Sequence, residues 1–182
     1  MTRLPGEIIG DGEPALVLRR WQPEDAETLW RAVSESADHL RPWLRFMADE
    51  PLPIERRRAL LRGWEAEWEG GGDVHFAILA AGEVAGGAGL HRRRGPDILE
   101  IGYWVHRDHL RRGVATEASR LLRDAALAVE GIEHVQIHCD RANGASNAIP
   151  RRLGFELIGE HPIEPEAPAE EGVDCVWRVS RR

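Results

Sequence analysis

The chain has 182 residues, 42% of them hydrophobic and 30% charged, with a formal net charge of −7 at pH 7, which is typical of one globular domain over residues 1–182. The acidic balance disfavours nucleic-acid binding, and no apolar run reaches the roughly 18 residues of a membrane span or forms the core of a secretory signal. Since Cys139 and Cys175 make neither a disulfide framework nor a metal cluster, we expect a cytoplasmic protein with no membrane contact.

The first third of the chain predicts one strand followed by helices. Pro14–Trp21 is a short alternating run that predicts the first strand, and Pro23 then occupies the first position of a helix. Further helical segments are predicted over His39–Phe46 and Ile54–Trp68, the second of which ends at Gly70–Gly72. The apolar side chains expected to face the core are Ala26, Leu29, Trp30 and Val33 in the first helix and Leu60, Leu61, Trp64 and Trp68 in the last.

The middle of the chain changes to the period of β-strands. Two short apolar runs, Val74–Ala80 and Val84–His91, predict a hairpin, and Ile98–Val105 predicts the next strand. A long amphipathic helix over Val114–Glu130 follows, and His134–Cys139 predicts the strand after it. A strand–helix–strand unit of this kind implies a parallel pair of strands with a right-handed crossover.

The last third predicts a short helix over Asn143–Leu153 and two strands, Phe155–Glu160 and Val173–Val179, with a loop rich in proline and glutamate between them. The hairpins make most neighbouring strands antiparallel. The element order therefore predicts an α/β protein with a mixed central sheet and helices packed on it.

One loop inside the segment Leu99–Ala126 carries the clearest functional signal. Arg111–Ala115 lies between a predicted strand and the N-terminus of a long helix, where unpaired N–H groups and the helix dipole favour an anion. Gly113 has no Cβ, so the backbone can approach a ligand closely. The loop matches neither the Walker pattern nor the dinucleotide-binding glycine pattern, and a plain polar turn is the alternative.

Four segments extend this signal over nearly the whole chain: LVLRRWQPEDAETLW, HLRPWLRF, IGYWVHRDHLRRGVATEA and CDRANGASNAIPRRLGFELIGE. They resemble segments of the GNAT family of N-acetyltransferases, in particular its branch of ribosomal-protein N-terminal acetyltransferases. The resemblance implies the GNAT fold, with about seven strands, helices on both faces, and the parallel pair splayed just past Tyr103 at the cofactor site. Two positions depart from the family: Leu110 replaces a Gln or Arg, and Pro150 replaces a tyrosine that protonates the leaving thiolate in many members.

The resemblance implies acetyl-CoA as the co-substrate and places its binding residues. Trp104 and Val105 would pair with the pantetheine arm, and a free N–H near them would polarise the thioester carbonyl. Asn143 would hydrogen-bond the pantetheine, with a simple helix N-cap as the alternative. The pyrophosphate would lie on the main-chain N–H groups of Arg111, Arg112, Gly113, Val114, Ala115 and Thr116.

Two side chains are candidates for catalysis. Ser146 resembles the serine proposed as the thiolate acid in this branch, and a hydrogen bond to the sulfur is its chemically reasonable contribution; the alternative is an exposed helix serine. Glu100 could act as the general base, directly or through water, with a pKa raised by burial. Its alternative is a solvent-facing strand residue. An α-amine, with an ordinary pKa of about 7.7–8.0, does not strictly require a base.

The acceptor pocket and the metal question complete the predicted site. Arg41, Trp43 and Phe46 lie in the segment that caps the acceptor pocket in this branch, and core packing is the alternative for Trp43. His106 and His109 have a spacing that suggests a metal site, but we expect no acidic or cysteine partner beside their rings, and the family resemblance implies no metal, so we expect none. Cys139, beside the cofactor groove, is expected to be a small buried residue and not a nucleophile.

The predicted function is therefore direct transfer of acetyl from acetyl-CoA to a primary amine, with the N-terminal α-amine of a ribosomal protein as the leading acceptor. A small-molecule amine such as an antibiotic, polyamine or amino acid is the alternative acceptor. A non-catalytic acyl-CoA-binding module is the alternative of another class, and Pro150 is the feature in its favour. Homodimerisation is left open.

Overall fold

A computed structural model describes residues 2–181, which form one eight-stranded sheet with α-helices packed on it. The strands are β1 (Glu7–Ile9), β2 (Leu16–Arg20), β3 (Val74–Ala80), β4 (Glu83–His91), β5 (Ile98–Val105), β6 (His134–Asp140), β7 (Glu156–Pro162) and β8 (Val173–Ser180). The helices are α1 (Ala26–Glu35), α2 (Ala37–Leu40), α3 (Ile54–Glu69), α4 (Val114–Ala128) and α5 (Gly144–Arg152). Short 3-10 turns cover Pro23–Asp25, Arg45–Asp49 and Arg107–His109.

The strand order is β1-β2-β3-β4-β5-β6-β8-β7. Every neighbouring pair in this order is antiparallel except β5 and β6, which are parallel and are joined by α4. The structure confirms the predicted mixed, mostly antiparallel sheet and its single strand–helix–strand crossover. It places the parallel pair near the middle of the sheet, where helices can cover it on both sides.

The sheet has eight strands instead of about seven, because the sequence analysis missed β1. This strand has three residues between Gly6 and Gly10, and Ile9 is 72% exposed, so it shows no alternating apolar pattern. It pairs with β2 from Glu7↔Arg19 to Ile9↔Val17. The run predicted as the first strand is therefore the second.

Helices pack on both faces of the sheet because consecutive side chains of each strand point to opposite faces. In β3, Phe76 and Ile78 belong to one apolar cluster with Leu122 of α4. Ala77 belongs to the other cluster, with Leu29 of α1. Within residues 2–181, no helix has both the length and the apolar character needed to cross a bilayer.

Three local predictions were wrong. Trp30 of α1 is 41% exposed and Leu60 of α3 is 37% exposed, since both lie beside and not on the stripe that packs on the sheet. The helical segment predicted over His39–Phe46 is broken, because α2 ends at Leu40 and the chain turns before the next 3-10 turn. This break lets the segment bend over the end of the sheet, where the candidate site lies.

Gly86 fixes the distance between β4 and the end of β5. A Cβ atom added to Gly86 would lie 2.2 Å from the carbonyl oxygen of Trp104 and 3.0 Å from the Cα atom of Val105. Both neighbours are backbone atoms of a paired strand and cannot rotate away. A side chain here would therefore push the end of β5 out of the sheet.

We predict that Gly86→Ala lowers the free energy of unfolding by about 2 kcal/mol or more, through overpacking against this backbone. The matched control is Gly63→Ala in the middle of α3, where an added Cβ meets nothing within 4 Å. That change should instead stabilise the protein by about 0.5–1 kcal/mol, because alanine is the better helix former. Urea unfolding of the two variants measures both effects, and wild-type stability of Gly86→Ala would contradict the packing argument.

Candidate active site

A gap opens where the two parallel strands separate. Pairing between β5 and β6 runs from Ile98↔His134 to Ile101↔Ile137 and stops there. The strands therefore diverge at an earlier point than the expected one just past Tyr103. A cavity of about 210 Å³ lies at the opening, with Tyr103 on one side and Cys139 on the other.

Trp104 and Val105 form the end of β5 beside this gap. Their other edge stays paired with Gly87 and Gly86 of β4. The carbonyl oxygen of Val105 accepts a hydrogen bond from the His39 ring at 2.9 Å. The end of β5 is therefore held from the β4 side and by α2, while its edge toward β6 has no strand partner.

The loop before α4 presents a row of free backbone N–H groups. Arg111 and Gly113 both adopt left-handed backbone conformations, with φ of 59° and 79°. Within residues 2–181, no atom accepts a hydrogen bond from the N–H groups of residues 111–116. The side chains of Arg111 and Arg112 are exposed. A nest of N–H groups at a helix N-terminus is suited to an anion such as a pyrophosphate.

Asn143 and Ser146 lie at the start of α5, next to the gap. The side-chain oxygen of Asn143 accepts from the Ser146 N–H at 3.0 Å, so Asn143 does cap the helix. Among the described residues, none accepts from its amide nitrogen, which leaves that donor available for a ligand. Ser146 is half-buried and lines the gap, which disagrees with the alternative of an exposed helix serine.

The sequence analysis missed the partner of Ser146. The hydroxyl of Tyr103 lies 2.9 Å from Ser146 Oγ. Burial raises the pKa of Tyr103 well above its usual range, so the phenol stays neutral and can donate. Tyr103 is the single tyrosine of the chain and lies within the acetyl-CoA-like motif, which is the signal that could have identified it.

Cys139 lies across the gap from this pair. Burial is the main reason that the pKa of its thiol rises to about 12, with Cys175 as a second cause. A thiol that stays protonated at neutral pH is a poor nucleophile. The geometry agrees with the expectation that Cys139 does not react.

Glu100 is buried, with 3% of its surface exposed, and its carboxylate accepts hydrogen bonds from Arg93 and Arg94. Burial opposes ionisation, but the two guanidinium groups outweigh it and hold the pKa of Glu100 below its usual value. The expectation of a raised pKa was therefore wrong, and so was that of a solvent-facing residue. An ionised carboxylate held by two arginines is a weak proton acceptor, which removes the physical argument for Glu100 as the base.

A larger cavity of about 750 Å³ adjoins the gap. The two cavities share Leu44, Arg93, Gly102 and Tyr103 in their walls. A ligand in the larger cavity can therefore reach one in the gap.

The three predicted acceptor residues have different surroundings. Phe46 lines the larger cavity, and Trp43 lines the gap. Arg41 donates to the carbonyl oxygen of Met47 at 2.8 Å, so its contact stabilises the turn that carries the other two. Trp43 thus lines the gap, where acetyl-CoA is expected, and does not line the larger cavity.

A cluster of Asp73, His75 and His91 lies at the wall of the larger cavity and was not predicted. Their ligand-type atoms lie within 4.8 Å of one another. Imidazole and carboxylate groups are suitable ligands for zinc and similar metals. By contrast, the rings of His106 and His109 are 6.0 Å apart.

His106 also has an acidic neighbour that the sequence analysis did not foresee. Its Nε2 atom lies 3.0 Å from Glu35 of α1. The expectation that no acidic partner is nearby was therefore wrong: Glu35 comes from a distant region of the chain, and Asp108, between the two histidines, lies 3.9 Å from His106 Nδ1.

A family model described as "Acetyltransferase (GNAT) domain" matches residues 15–156 of the chain. The chain belongs to the GNAT family of acetyltransferases. It is thus an acyltransferase, as the four sequence segments predicted. The GNAT match includes β5, β6 and α5, whose residues line the gap, and it includes the loop before α4.

Named relatives share this GNAT domain at moderate identity. "Putative ribosomal N-acetyltransferase YdaF" of Bacillus subtilis is 28% identical over 142 residues, which are 77% of each chain. "Probable N-acetyltransferase YjcK" of the same organism is 24% identical over 148 residues, 79% of this chain and 82% of that one.

Solved structures confirm the GNAT fold. A RimL structure, titled as the ribosomal L7/L12 alpha-N-protein acetyltransferase in complex with coenzyme A, has a TM-score of 0.85 at 22% identity, covering 96% of this chain and 98% of that chain. The acetyltransferase MccE, titled as a complex with acetyl-CoA and AMP, has a TM-score of 0.83 at 17% identity, covering 91% and 92%.

We predict that His75 makes the stability depend on pH. Burial, followed by the charge of His91, lowers the pKa of His75 from 6.5 to about 4. Between these values the unfolded chain binds the proton more readily than the folded one, so stability falls as the pH drops from about 6.5 to about 4, by at most about 3 kcal/mol. Urea unfolding across this range measures the loss.

The variant His75→Gln should flatten this region of the pH profile. The control is His161→Gln, since His161 is exposed on the outermost strand, and it should keep the wild-type profile. An unchanged profile in His75→Gln would contradict the assignment.

Proposed function

We propose that this GNAT protein transfers acetyl directly from acetyl-CoA to the N-terminal α-amine of a protein, with a ribosomal protein as its acceptor. The observation that carries the proposal is the meeting of the two cavities at Gly102 and Tyr103. Such a junction lets a donor in the gap and an acceptor in the larger cavity react without an enzyme-bound acetyl group. Holding both reactants together supplies a large share of the rate enhancement. A ribosomal acceptor also favours the cytoplasm as its location.

The donor side of the proposal rests on the free N–H groups. The pyrophosphate would accept hydrogen bonds from residues 111–116, and the pantetheine arm would run past Trp104 and Val105 to the gap. The amide nitrogen of Asn143 would donate to that arm. The titles of the RimL and MccE structures, which name coenzyme A and acetyl-CoA, support this choice of co-substrate.

The sulfur side of the reaction would involve Ser146 and Tyr103. As the amine attacks the thioester carbonyl, the carbon–sulfur bond breaks and negative charge moves to the sulfur. In this step the neutral Tyr103 phenol, 2.9 Å from Ser146 Oγ, would donate to that oxygen, and the Ser146 hydroxyl would in turn donate to the sulfur. This pair provides a donor although Pro150 stands in the position of the family tyrosine.

The acceptor is supported by the names of relatives and by the size of the larger cavity. YdaF and RimL are named for ribosomal substrates, which favours a protein N-terminus. The cavity of about 750 Å³ also falls in the range of small-molecule sites, so a small amine is the second candidate. The MccE structure is titled as a complex with acetyl-CoA and AMP, which supports this second candidate.

The proposal predicts that the protein acetylates peptide N-termini. We expect labelled acetyl from acetyl-CoA to appear on the α-amine of one or a few ribosomal proteins in a cell extract, as read by mass spectrometry of N-terminal peptides. Preferred transfer to free polyamines, amino acids or antibiotics would favour the second candidate. Tight binding of acetyl-CoA with no transfer to any amine would contradict the enzyme and favour a binding module.

The donor site is tested by Gly113→Asp. We expect the Kd for coenzyme A to rise at least about tenfold, or about 1.4 kcal/mol, because the carboxylate lies against the pyrophosphate. The matched control is Gly131→Asp, just beyond the other end of α4, where φ is 82° and an added Cβ meets nothing within 4 Å, while at Gly113 it makes only ordinary contacts, with Pro14 Cδ at 3.4 Å and Glu13 O at 3.9 Å. Both changes place a side chain at a residue with positive φ, so both strain the backbone. A Kd for coenzyme A that rises only in Gly113→Asp, as measured by calorimetry, therefore reports an effect at the binding site. Equal Kd values for the two variants would refute the placement.

A further inference from the structure

Asp73 and His91 form a carboxylate–imidazole pair at the wall of the acceptor cavity. Asp73 precedes β3, His91 ends β4, and the two strands bring the side chains together. His91 Nδ1 lies 2.8 Å from Asp73 Oδ2, and the other Asp73 oxygen accepts from the Arg92 N–H at 2.7 Å. A carboxylate can only accept, so it fixes a proton on Nδ1, and in the neutral ring the lone pair then lies on Nε2.

The free nitrogen points toward the junction of the two cavities. A Cβ atom added to Gly89 would lie 2.7 Å from His91 Nε2, and one added to Gly102 would lie 3.2 Å from it. The ring therefore lies over two glycines that line the acceptor cavity, and Gly102 also lines the gap. Within the described residues of the chain, no group hydrogen-bonds Nε2. The two glycines give the imidazole its room on the sheet.

The other titratable groups around His91 are poorly suited to accept a proton. His75 is stacked on Trp64 at 4.1 Å, and burial lowers its pKa to about 4. Glu100, the cross-strand partner of His91, is held ionised by Arg93 and Arg94. Asp73 faces His91 Nδ1 and not the junction.

We propose that His91 is the general base that takes the proton from the acceptor ammonium, with Asp73 as its positioning residue. The inference rests on the proposed acetyl transfer. The ammonium gives one proton to His91 Nε2, directly or through one water, and the free amine forms the carbon–nitrogen bond as the carbon–sulfur bond breaks. The second amine proton leaves the nitrogen in that step and passes, through water or the Ser146 hydroxyl, to the departing sulfur, which gives the amide and the thiol. Asp73 stabilises the resulting imidazolium, which returns the proton to solvent after the amide and the thiol have formed.

The proposal is tested by removing the imidazole and adding it back. In His91→Ala, we expect kcat for the best acceptor amine to fall about a hundredfold or more, the usual contribution of a general base, while the Kd for coenzyme A stays unchanged. Free imidazole should restore some of this loss, because it fits the space left over Gly89 and Gly102. Asp73→Asn should lower kcat less, and imidazole should not rescue it.

The control is His161→Ala, since His161 also lies over a glycine of its own strand, Gly159, but on the exposed edge of the sheet. It should keep wild-type kcat and show no response to imidazole. Thermal unfolding of each variant separates a loss of activity from a loss of structure, and His91→Gln provides a second variant of nearly wild-type size.

Four outcomes are distinguishable. A loss in His91→Ala that imidazole restores supports the proposal. Near-wild-type kcat in both His91 variants overturns it, and so does a rise in KM alone. Activity that a chelator removes and zinc restores overturns it in favour of a metal held by Asp73, His75 and His91. A wild-type protein that acetylates no amine removes the proposed function itself, which is a different result from all three.

Discussion

The separation of β5 and β6 after Ile101 is the constraint on which the rest of the site depends. A parallel pair that stayed hydrogen-bonded to its end would fill the space now open between Tyr103 and Cys139. Because the strands separate, the end of β5 must be held from elsewhere. β4 holds it through the close approach at Gly86, and His39 holds the carbonyl of Val105. The β5 side of the gap is therefore fixed by contacts with β4 and α2.

The charges around the gap are arranged so that the buried ones are compensated. Glu100 is the buried carboxylate closest to the junction, and leaving it unpaired would cost several kcal/mol. Arg93 and Arg94, from the turn between β4 and β5, fold back over it and keep it ionised. This pairing stabilises the wall of the gap but makes the Glu100 carboxylate a weak proton acceptor. His91, by contrast, has its carboxylate partner at Nδ1, on the side away from the junction, and its Nε2 has no hydrogen-bond partner among the described residues.

Periodicity predicted the elements that pack on the core, since apolar spacing reports burial directly. The bounds of β5 were predicted without error, and so was the crossover to β6 through α4. β1 was missed because its three residues are too few and too exposed to show an alternation of apolar and polar side chains. The family resemblance predicted the residues around the gap and the loop before α4. Contacts between distant segments could not be predicted, because they depend on register.

The pair of Asp73 and His91 is the clearest such case: 18 residues separate them, and only the register of β3 with β4 brings them together. The same applies to Glu100, whose burial was foreseen as an option but whose two arginines were not. A pKa depends on the nearest charges more than on the residue's own strand, so the direction of its shift was wrong. The glycines of β4 were a signal visible in the sequence, because glycines inside a strand indicate that another group approaches the strand closely. In the structure, aromatic rings lie over Gly87 and Gly89.

The alternation of β5 explains how one strand can serve both halves of an acetyl transfer. Tyr103 points toward α5, where its hydroxyl meets Ser146 on the sulfur side. Gly102 and Trp104, on either side of it, belong to the opposite face, where the acceptor cavity and His91 lie. Successive residues of a strand face opposite sides of the sheet. The proposed proton acceptor, His91 beside Gly102, and the proposed donor pair at Tyr103 can therefore lie close along the strand without being in contact. That separation matters chemically, because an acid and a base in direct contact would neutralise each other. Gly102 is then required for two reasons: it leaves space for the imidazole on one face, and it leaves the junction open between the donor and the acceptor.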